Sequence, residues 1–283
     1  RADMTDELKD IIEDSQSPLD SDTLAVSGEL NKPLHRISLN GNKFRKMLGS
    51  EEVAVAPDQH LNVVIIKMAH TPSRTYYDKV YQEGKISSPV CWSNDSQVAD
   101  KDVPIAQAKS CNQCKNSVRG SGANGMGTAC KLSWRIAVVL AKDMKGDIIQ
   151  LVLPAMSCFG KEKQGKWPFR PYIQMLANNS VSAGRVITKL QFDEEVNIPK
   201  LLFSPVAAIK ECDMEDLQLK AKDRAAAKAI TLNVKTQNEV DPNRPTVQFD
   251  VFLETPAEPT SQQIERDEEV SDIIKRWTNK NGS

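Results

Sequence analysis

The chain has 283 residues, 40% of them hydrophobic and 27% charged, an ordinary composition for a globular protein with one large core or two modest ones. No apolar stretch approaches the length that a membrane-spanning helix needs, so no membrane partner is expected. The net charge of −1 conceals an asymmetry. Residues 1–23 carry eight acids (Asp3, Asp6, Glu7, Asp10, Glu13, Asp14, Asp20 and Asp22) against Arg1 and Lys9, a net charge of −6. Residues 101–145 carry Lys101, Lys109, Lys115, Arg119, Lys131, Arg135, Lys142 and Lys145 against Asp102 and Asp143, a net charge of +6. A basic middle and an acidic arm point to a polyanion-binding surface with a solvated or competing tail, although charges spread over a solvated surface would give the same counts.

In chain order, the first thirty residues read as a mobile arm with one short helix from Thr5 to Glu13. Ordered structure is expected from Leu34, where HRISLNGNKFRKML gives a short strand, a turn and a helical segment. LNVVIIKMAH (61–70) is a strand whose β-branched run predicts a central position. The polar stretch 71–89 interleaves Tyr76, Tyr77 and Tyr81 with Arg74, Lys79 and Lys85. LSWRIAVVLAKDMKGDIIQLVLPA (132–155) is a β-hairpin turning around Asp143 to Gly146. KEKQGKWPFRPYIQML (161–176) sets Lys161, Lys163, Lys166 and Arg170 among Trp167, Phe169 and Tyr172, then enters a helix ending at Asn178 and Asn179. Aromatic faces stack on unpaired bases while cations follow phosphates, so the pattern suits single-stranded nucleic acid. The same spacing also fits the apolar face of an amphipathic helix, with Tyr172 in the core and Trp167 and Arg170 exposed.

Further strands are expected at 184–193 and at 200–209, the second broken by Pro205. An alanine-rich helix follows at 214–230, capped by Asp213. A last strand (245–254), a linker and an amphipathic helix (262–280) carrying Trp277 complete the chain, the helix suited to docking on the domain or on a partner.

Four of the six cysteines, Cys91, Cys111, Cys114 and Cys130, are spaced C-x19-C-x2-C-x15-C, the shape of a structural zinc site. The CNQC turn supplies two thiolates and the outer pair closes a tetrahedron around Zn2+. A thioredoxin-like redox site would place its C-x-x-C at a helix start after a buried strand, whereas the surroundings here are polar and rich in Gly, Ser and Asn. Two disulfides would suit a secreted protein, yet no charged-then-apolar signal segment opens the chain, so a cytoplasmic location is expected, that of the host cell for a viral protein. A zinc deaminase needs His-x-Glu upstream of Pro-Cys-x-x-Cys, and Ser110 precedes Cys111. Four thiolates leave no open position for an activated water, so the ion is expected to be structural. GSGANGMG (120–127) reads as a flexible lobe of the zinc loop, and Cys158 and Cys212 as inert packing thiols. No phosphate loop, nucleophile constellation or histidine pair in ligand spacing is present, which favours a binding protein over an enzyme.

The series SRTYYDKVYQEG, PVCWSNDSQVADKDVP, SCNQCKNSVRGSGANGMGTACK and RIAVVL resembles bacteriophage single-stranded DNA-binding proteins over residues 37–210. The resemblance implies an OB-like β-barrel core carrying a zinc knuckle, with the four cysteines as metal ligands and the Tyr76, Tyr77, Tyr81 cluster as the aromatic run that precedes them. Such binders usually end in an acidic tail, whereas this sequence ends in KRWTNKNGS and has its acidic arm at the other end. Recruitment of replication or recombination proteins then falls to the arm from Asp3 to Asp22 or to the terminal helix, unless the sequence stops short of the native end.

The expected organisation is α+β, mainly β: an acidic arm (1–30), an OB-like nucleic-acid-binding domain (31–255) with a four-cysteine zinc knuckle at 89–131 and flanking helices, and a linker with a terminal helix (256–283). The expected function is non-catalytic coating of single-stranded DNA in phage-type replication or recombination. Arg74, Tyr76, Tyr77, Lys79, Tyr81, Trp92, Lys115, Arg119, Lys131, Arg135, Lys163, Lys166, Trp167 and Arg170 are the expected contacts. The alternatives are an assembly protein whose zinc only stabilises the fold, and a metal-dependent nuclease using carboxylates such as Asp193 and Glu195.

Overall fold

Alternation of apolar side chains sets the two faces of the sheet. In the longest strand, β7 (Cys130–Leu140), Leu132, Trp134, Ile136 and Val138 enter one core while Ala137 and Val139 enter a second, the period of two that sends successive side chains to opposite sides. The computed structural model describes residues 6–15, 20–27, 33–49, 51–78 and 88–234. The expected strand at 245–254, the linker and the terminal helix lie outside the described residues, as do Lys79, Tyr81 and Lys85.

Two compact units are present, Arg1–Pro33 and Leu34–Ser283. The first contains the helices α1 (Asp6–Asp14) and α2 (Ser21–Ser27), the second of them not anticipated from sequence. Asp20 caps α2 by accepting from the Thr23 backbone N–H at 2.7 Å.

The second unit is α+β and mainly sheet. Its remaining strands are β1 (His35–Ser38), β2 (Arg45–Leu48), β3 (Glu51–Val55), β4 (His60–Met68), β5 (Ser73–Tyr76), β6 (Cys91–Ser93), β8 (Ile149–Pro154), β9 (Val186–Phe192) and β10 (Leu201–Ala208). They form one ten-stranded sheet in the order β10-β9-β4-β7-β8-β1-β2-β3, with β5 and β6 added beside β7. The eight-stranded path curls into a half-barrel. All pairings are antiparallel except β1 with β8.

One face is covered by α4 (Phe169–Asn178), whose Phe169, Tyr172 and Leu176 join Ile37, Val63, Ile65, Leu151 and Phe203. Tyr172 is fully enclosed, and its hydroxyl shares a 2.8 Å hydrogen bond with Thr188. The other face is covered by α5 (Glu211–Lys222) and α6 (Arg224–Ile230), through Met214, Leu217, Ala226 and Ala229. A short helix, α3 (Ala155–Cys158), follows β8.

Two local expectations are corrected. The helical segment expected after Asn42 is strand β2, because its backbone is paired on both sides, with β1 and with β3; sheet pairing overrides the helix propensity of Arg, Lys, Met and Leu. The single helix expected at 214–230 starts at Glu211 and is two helices. Asp223 adopts an extended backbone between them and caps α6 by accepting from Ala225 N–H at 2.8 Å.

Candidate functional site

Strand β7 is long enough to have two different partners along one edge. Its C-terminal half pairs with β4 from Val63 to Met68, and its N-terminal residues pair with β5 from Ser73 to Tyr76. The change-over is held at Ala69, whose N–H donates to the Arg135 carbonyl at 2.9 Å and whose carbonyl accepts from the Trp134 indole at 2.7 Å. Beyond it, β6, β5 and the start of β7 form a three-stranded flap carrying the cysteine segment.

The flap has two chemically different faces. Tyr76 pairs with Cys91 on one side and with Cys130 on the other, so these three side chains lie in one row on one face. Thr75 pairs with Trp92 and with Lys131, a row on the opposite face. Lys131 is exposed and Trp92 half-buried.

On the cysteine face, Cys91, Cys111, Cys114 and Cys130 border one small cavity together with Arg74, Tyr76, Ser93 and Ser117, and Trp92 also contributes to its lining. All four are free thiols. The cavity measures about 20 Å³, room for one atom-sized guest and far too little for a base. Cys111 and Cys114 stand on consecutive 3-10 turns, where the Cys114 N–H donates to the Cys111 carbonyl at 3.3 Å. Burial raises the Cys130 thiol to about 11, opposed by the positive charge of Arg74, and Cys111 is raised for the same reasons, with Ser93 and Arg74 opposing. Cys130 also feels the charges of Cys111, Cys114 and Cys91.

Four thiols of this kind match a structural zinc ion in number and softness. Among the described residues, however, no three His, Cys, Asp or Glu side chains are drawn tightly enough together to hold a metal as they stand. The register supplies a reason: β5 lies between the strands of Cys91 and Cys130, whose backbones are about 9.5 Å apart by strand spacing, and Tyr76 stands in the row between them. The donors converge on a common cavity, and an ion would have to draw the flap inward to complete its shell.

The lobe at 120–127 is closed by hydrogen bonds rather than open. Gly120 N–H donates to the Gly127 carbonyl at 2.7 Å, and the Ser121 hydroxyl accepts from Ala129 N–H at 3.0 Å while donating to the Asn116 carbonyl at 3.0 Å. At Gly122 a Cβ would lie 1.9 Å from the Met126 carbonyl oxygen, so only glycine fits that crossing.

The other expected contact residues are dispersed. Arg74 and Arg135 are each only 5% exposed; Arg135 donates to the hydroxyls of Ser73 and Ser133. Their burial withholds both guanidinium groups from a phosphate in this conformation. Tyr76 and Tyr77 are half-buried; Lys115 is exposed and Arg119 half-exposed on the cysteine segment. Lys163, Lys166, Trp167 and Arg170 lie elsewhere, beside α4 and β10. Trp167 is fixed by backbone hydrogen bonds to Phe203 in both directions, at 2.9 and 2.7 Å, and its ring lies 6.5 Å from that of Tyr172. Lys163 bridges Asp193 at 3.1 Å and Glu195 at 2.5 Å. Asp193 also accepts from buried Lys200 at 2.8 Å, so these two acids are engaged in ion pairs. Burial pushes the Asp193 carboxyl up, but hydrogen bonds from Lys200, Lys163 and Glu195 N–H together hold it below its ordinary value.

Sequence reading missed Thr75, Ser93 and Asn94 as parts of the flap. Period-two alternation through SRTYY would have placed Arg74 and Tyr76 on one face and Thr75 on the other, but no pattern announces which strand lies beside which. Among the described residues no helix is long and apolar enough to cross a membrane. Comparison of the chain with protein-family models, with curated proteins and with solved structures returned no match.

Proposed function

We propose that this protein binds single-stranded DNA without catalysing a reaction, coating the strand in phage-type replication or recombination. The observation that carries the reading is the row Trp92–Thr75–Lys131, a half-buried tryptophan and an exposed lysine at the same register position on either side of the middle strand of a three-stranded flap. An unpaired base can stack on the indole while a neighbouring phosphate meets the lysine. Lys115 and Arg119 on the adjoining cysteine segment extend the cationic track. The curled, mainly antiparallel sheet supports a barrel-like core, of which an OB-like barrel is the form we propose.

In this reading Cys91, Cys111, Cys114 and Cys130 hold a structural Zn2+. When bound, the ion supplies a rigid cross-link between β6, β7 and the turns that carry Cys111 and Cys114. The cysteines neither touch DNA nor take part in a reaction; they fix the strand row that does. Replacing Trp92 by Ala tests the contact: oligonucleotide affinity should fall about 5- to 150-fold, the equivalent of 1–3 kcal/mol for one stacked base. Lys131→Gln should weaken binding and flatten the salt dependence by about 0.7 of a logarithmic unit per decade of salt. Unchanged affinity in both variants would remove the row from the interface.

One observation favours a second reading. Val98, Ile105, Val118 and Met126 are exposed on the cysteine-bearing segment, an apolar set suited to a protein partner. An assembly protein would show a defined oligomer by size exclusion, independent of DNA.

A further inference from the structure

Three of the four buried cations among the described residues have distinct partners. Lys200 is paired with Asp193 at 2.8 Å, Arg36 donates to the Gly49 carbonyl at 2.9 Å, and Arg135 donates to two serine hydroxyls. Arg74 differs. It is 5% exposed and stands on β5 between Ser93 and Leu132. Its Nε is unpartnered like those of Arg36 and Arg135, but those two are anchored through their other nitrogens, whereas none of the hydrogen bonds or ion pairs found among the described residues involves the Arg74 guanidinium. It borders the cavity that the four thiols border, and its charge acts on Cys111 and Cys130. Asp95, the acid that acts on Cys111, is committed to its own turn, accepting from Ser93 at 2.9 Å, from Gln97 N–H at 2.8 Å and from Val98 N–H at 3.2 Å.

A guanidinium buried without a counter-charge is costly. It ceases to be so if the cavity beside it holds an anion. Four thiolates around a divalent cation carry a net charge of −2, and each sulfur remains a hydrogen-bond acceptor. We propose that Arg74 is the buried counter-cation of a metal–thiolate cluster in this cavity, donating its unpartnered Nε–H toward a cysteine sulfur. The assignment rests on the zinc reading given above and adds to it the residue that balances the charge of the cluster. Arg74 thereby acts in opposite directions on the two states of the protein: it holds the metal in the loaded form and burdens the metal-free form, where a buried guanidinium borders an empty cavity.

That reversal of sign is the test. In the full-length chain, zinc content is measured on purification, zinc retention by competition with a chromophoric chelator, and thermal stability with and without metal, for the wild type, Arg74→Met and Arg74→Lys. Arg74→Met keeps the length and loses the charge; it should give up zinc about 10- to 100-fold more readily, as expected for loss of an outer partner of a metal ligand. Stripped of metal, it should melt higher than the stripped wild type. Arg74→Lys, which keeps the charge but not the planar donor set, should fall between the two in zinc retention. A wild type that neither contains nor takes up zinc overturns the metal reading and this assignment with it. Zinc held equally well by wild type and Arg74→Met overturns the Arg74 assignment alone, as does a stripped Arg74→Met protein that melts lower than the stripped wild type.

Discussion

Asn94 holds Leu232 as a neighbouring strand would, its side-chain Oδ1 accepting from the Leu232 N–H at 3.0 Å and its Nδ2 donating to the Leu232 carbonyl at 3.3 Å. The two residues are 138 positions apart. Asp100 orients the amide by accepting from Nδ2 at 2.7 Å and from the Asn94 backbone N–H at 3.1 Å. The flap that carries Trp92 is thus tied to the chain just beyond α6, which packs on the opposite side of the sheet from α4.

Asn94→Ala removes both hydrogen bonds to Leu232 at once. The expected cost is about 1–2 kcal/mol of global stability, read as a shift in the denaturant midpoint without a change in slope. Asn94→Asp sets a carboxylate oxygen in place of the amide donor, facing the Asp100 carboxylate and the Leu232 carbonyl, and should cost more than Asn94→Ala.

Gly122→Ala should disturb the cysteine segment without touching a thiol. The backbone of Gly122, at φ −69° and ψ 170°, is open to any residue, so the effect comes from the Met126 carbonyl oxygen 1.9 Å from the new Cβ. Either the 120–127 lobe opens or Met126 moves. The measurement is zinc retention against a chelator, which should fall relative to wild type, together with faster amide exchange at Gly120 and Ala129, whose N–H groups close the lobe.

Asp193→Asn probes a site that could be taken for catalytic. Breaking a buried ion pair on one side costs about 3 kcal/mol, or roughly 6–12 °C in melting temperature for a unit of this size. Because Lys200, Lys163 and the Glu195 N–H hold the carboxyl below its ordinary value despite burial, its contribution is fully present above the ordinary carboxylate range. It is lost as pH falls through the depressed folded value. The stability of Asp193→Asn should therefore approach that of wild type as the solution is acidified, and single-strand affinity at neutral pH should be unchanged.

Much of the fold was legible because burial on both faces leaves a strong mark. The β4 run VVII, the two apolar arms of the β7–β8 hairpin, the strands β9 and β10 and the helix α4 with its Asn178 end all stand where period and punctuation place them. Pro205 falls at a register irregularity between β10 and β9, the tolerance a proline needs in a sheet. Strands β2, β3, β5 and β6 were not legible. They are short, mixed in polarity and fixed by their neighbours; every residue of β3 is exposed, so no alternation betrays it. In the site, the four spaced cysteines border one cavity but do not stand close enough together to hold a metal as they are, and residue type alone could not separate the buried arginines, Arg74 and Arg135, from the exposed Lys115 and Lys131.

The central claim is preference for single-stranded DNA, and fluorescence anisotropy of a labelled oligonucleotide and of its duplex, titrated with the full-length protein at low and high salt, tests it most directly. The account predicts binding of the single strand well ahead of the duplex, little dependence on base sequence and a steep loss of affinity as salt rises. Failure to bind the single strand at low salt by a protein that contains zinc, or equal affinity for the duplex, would contradict it.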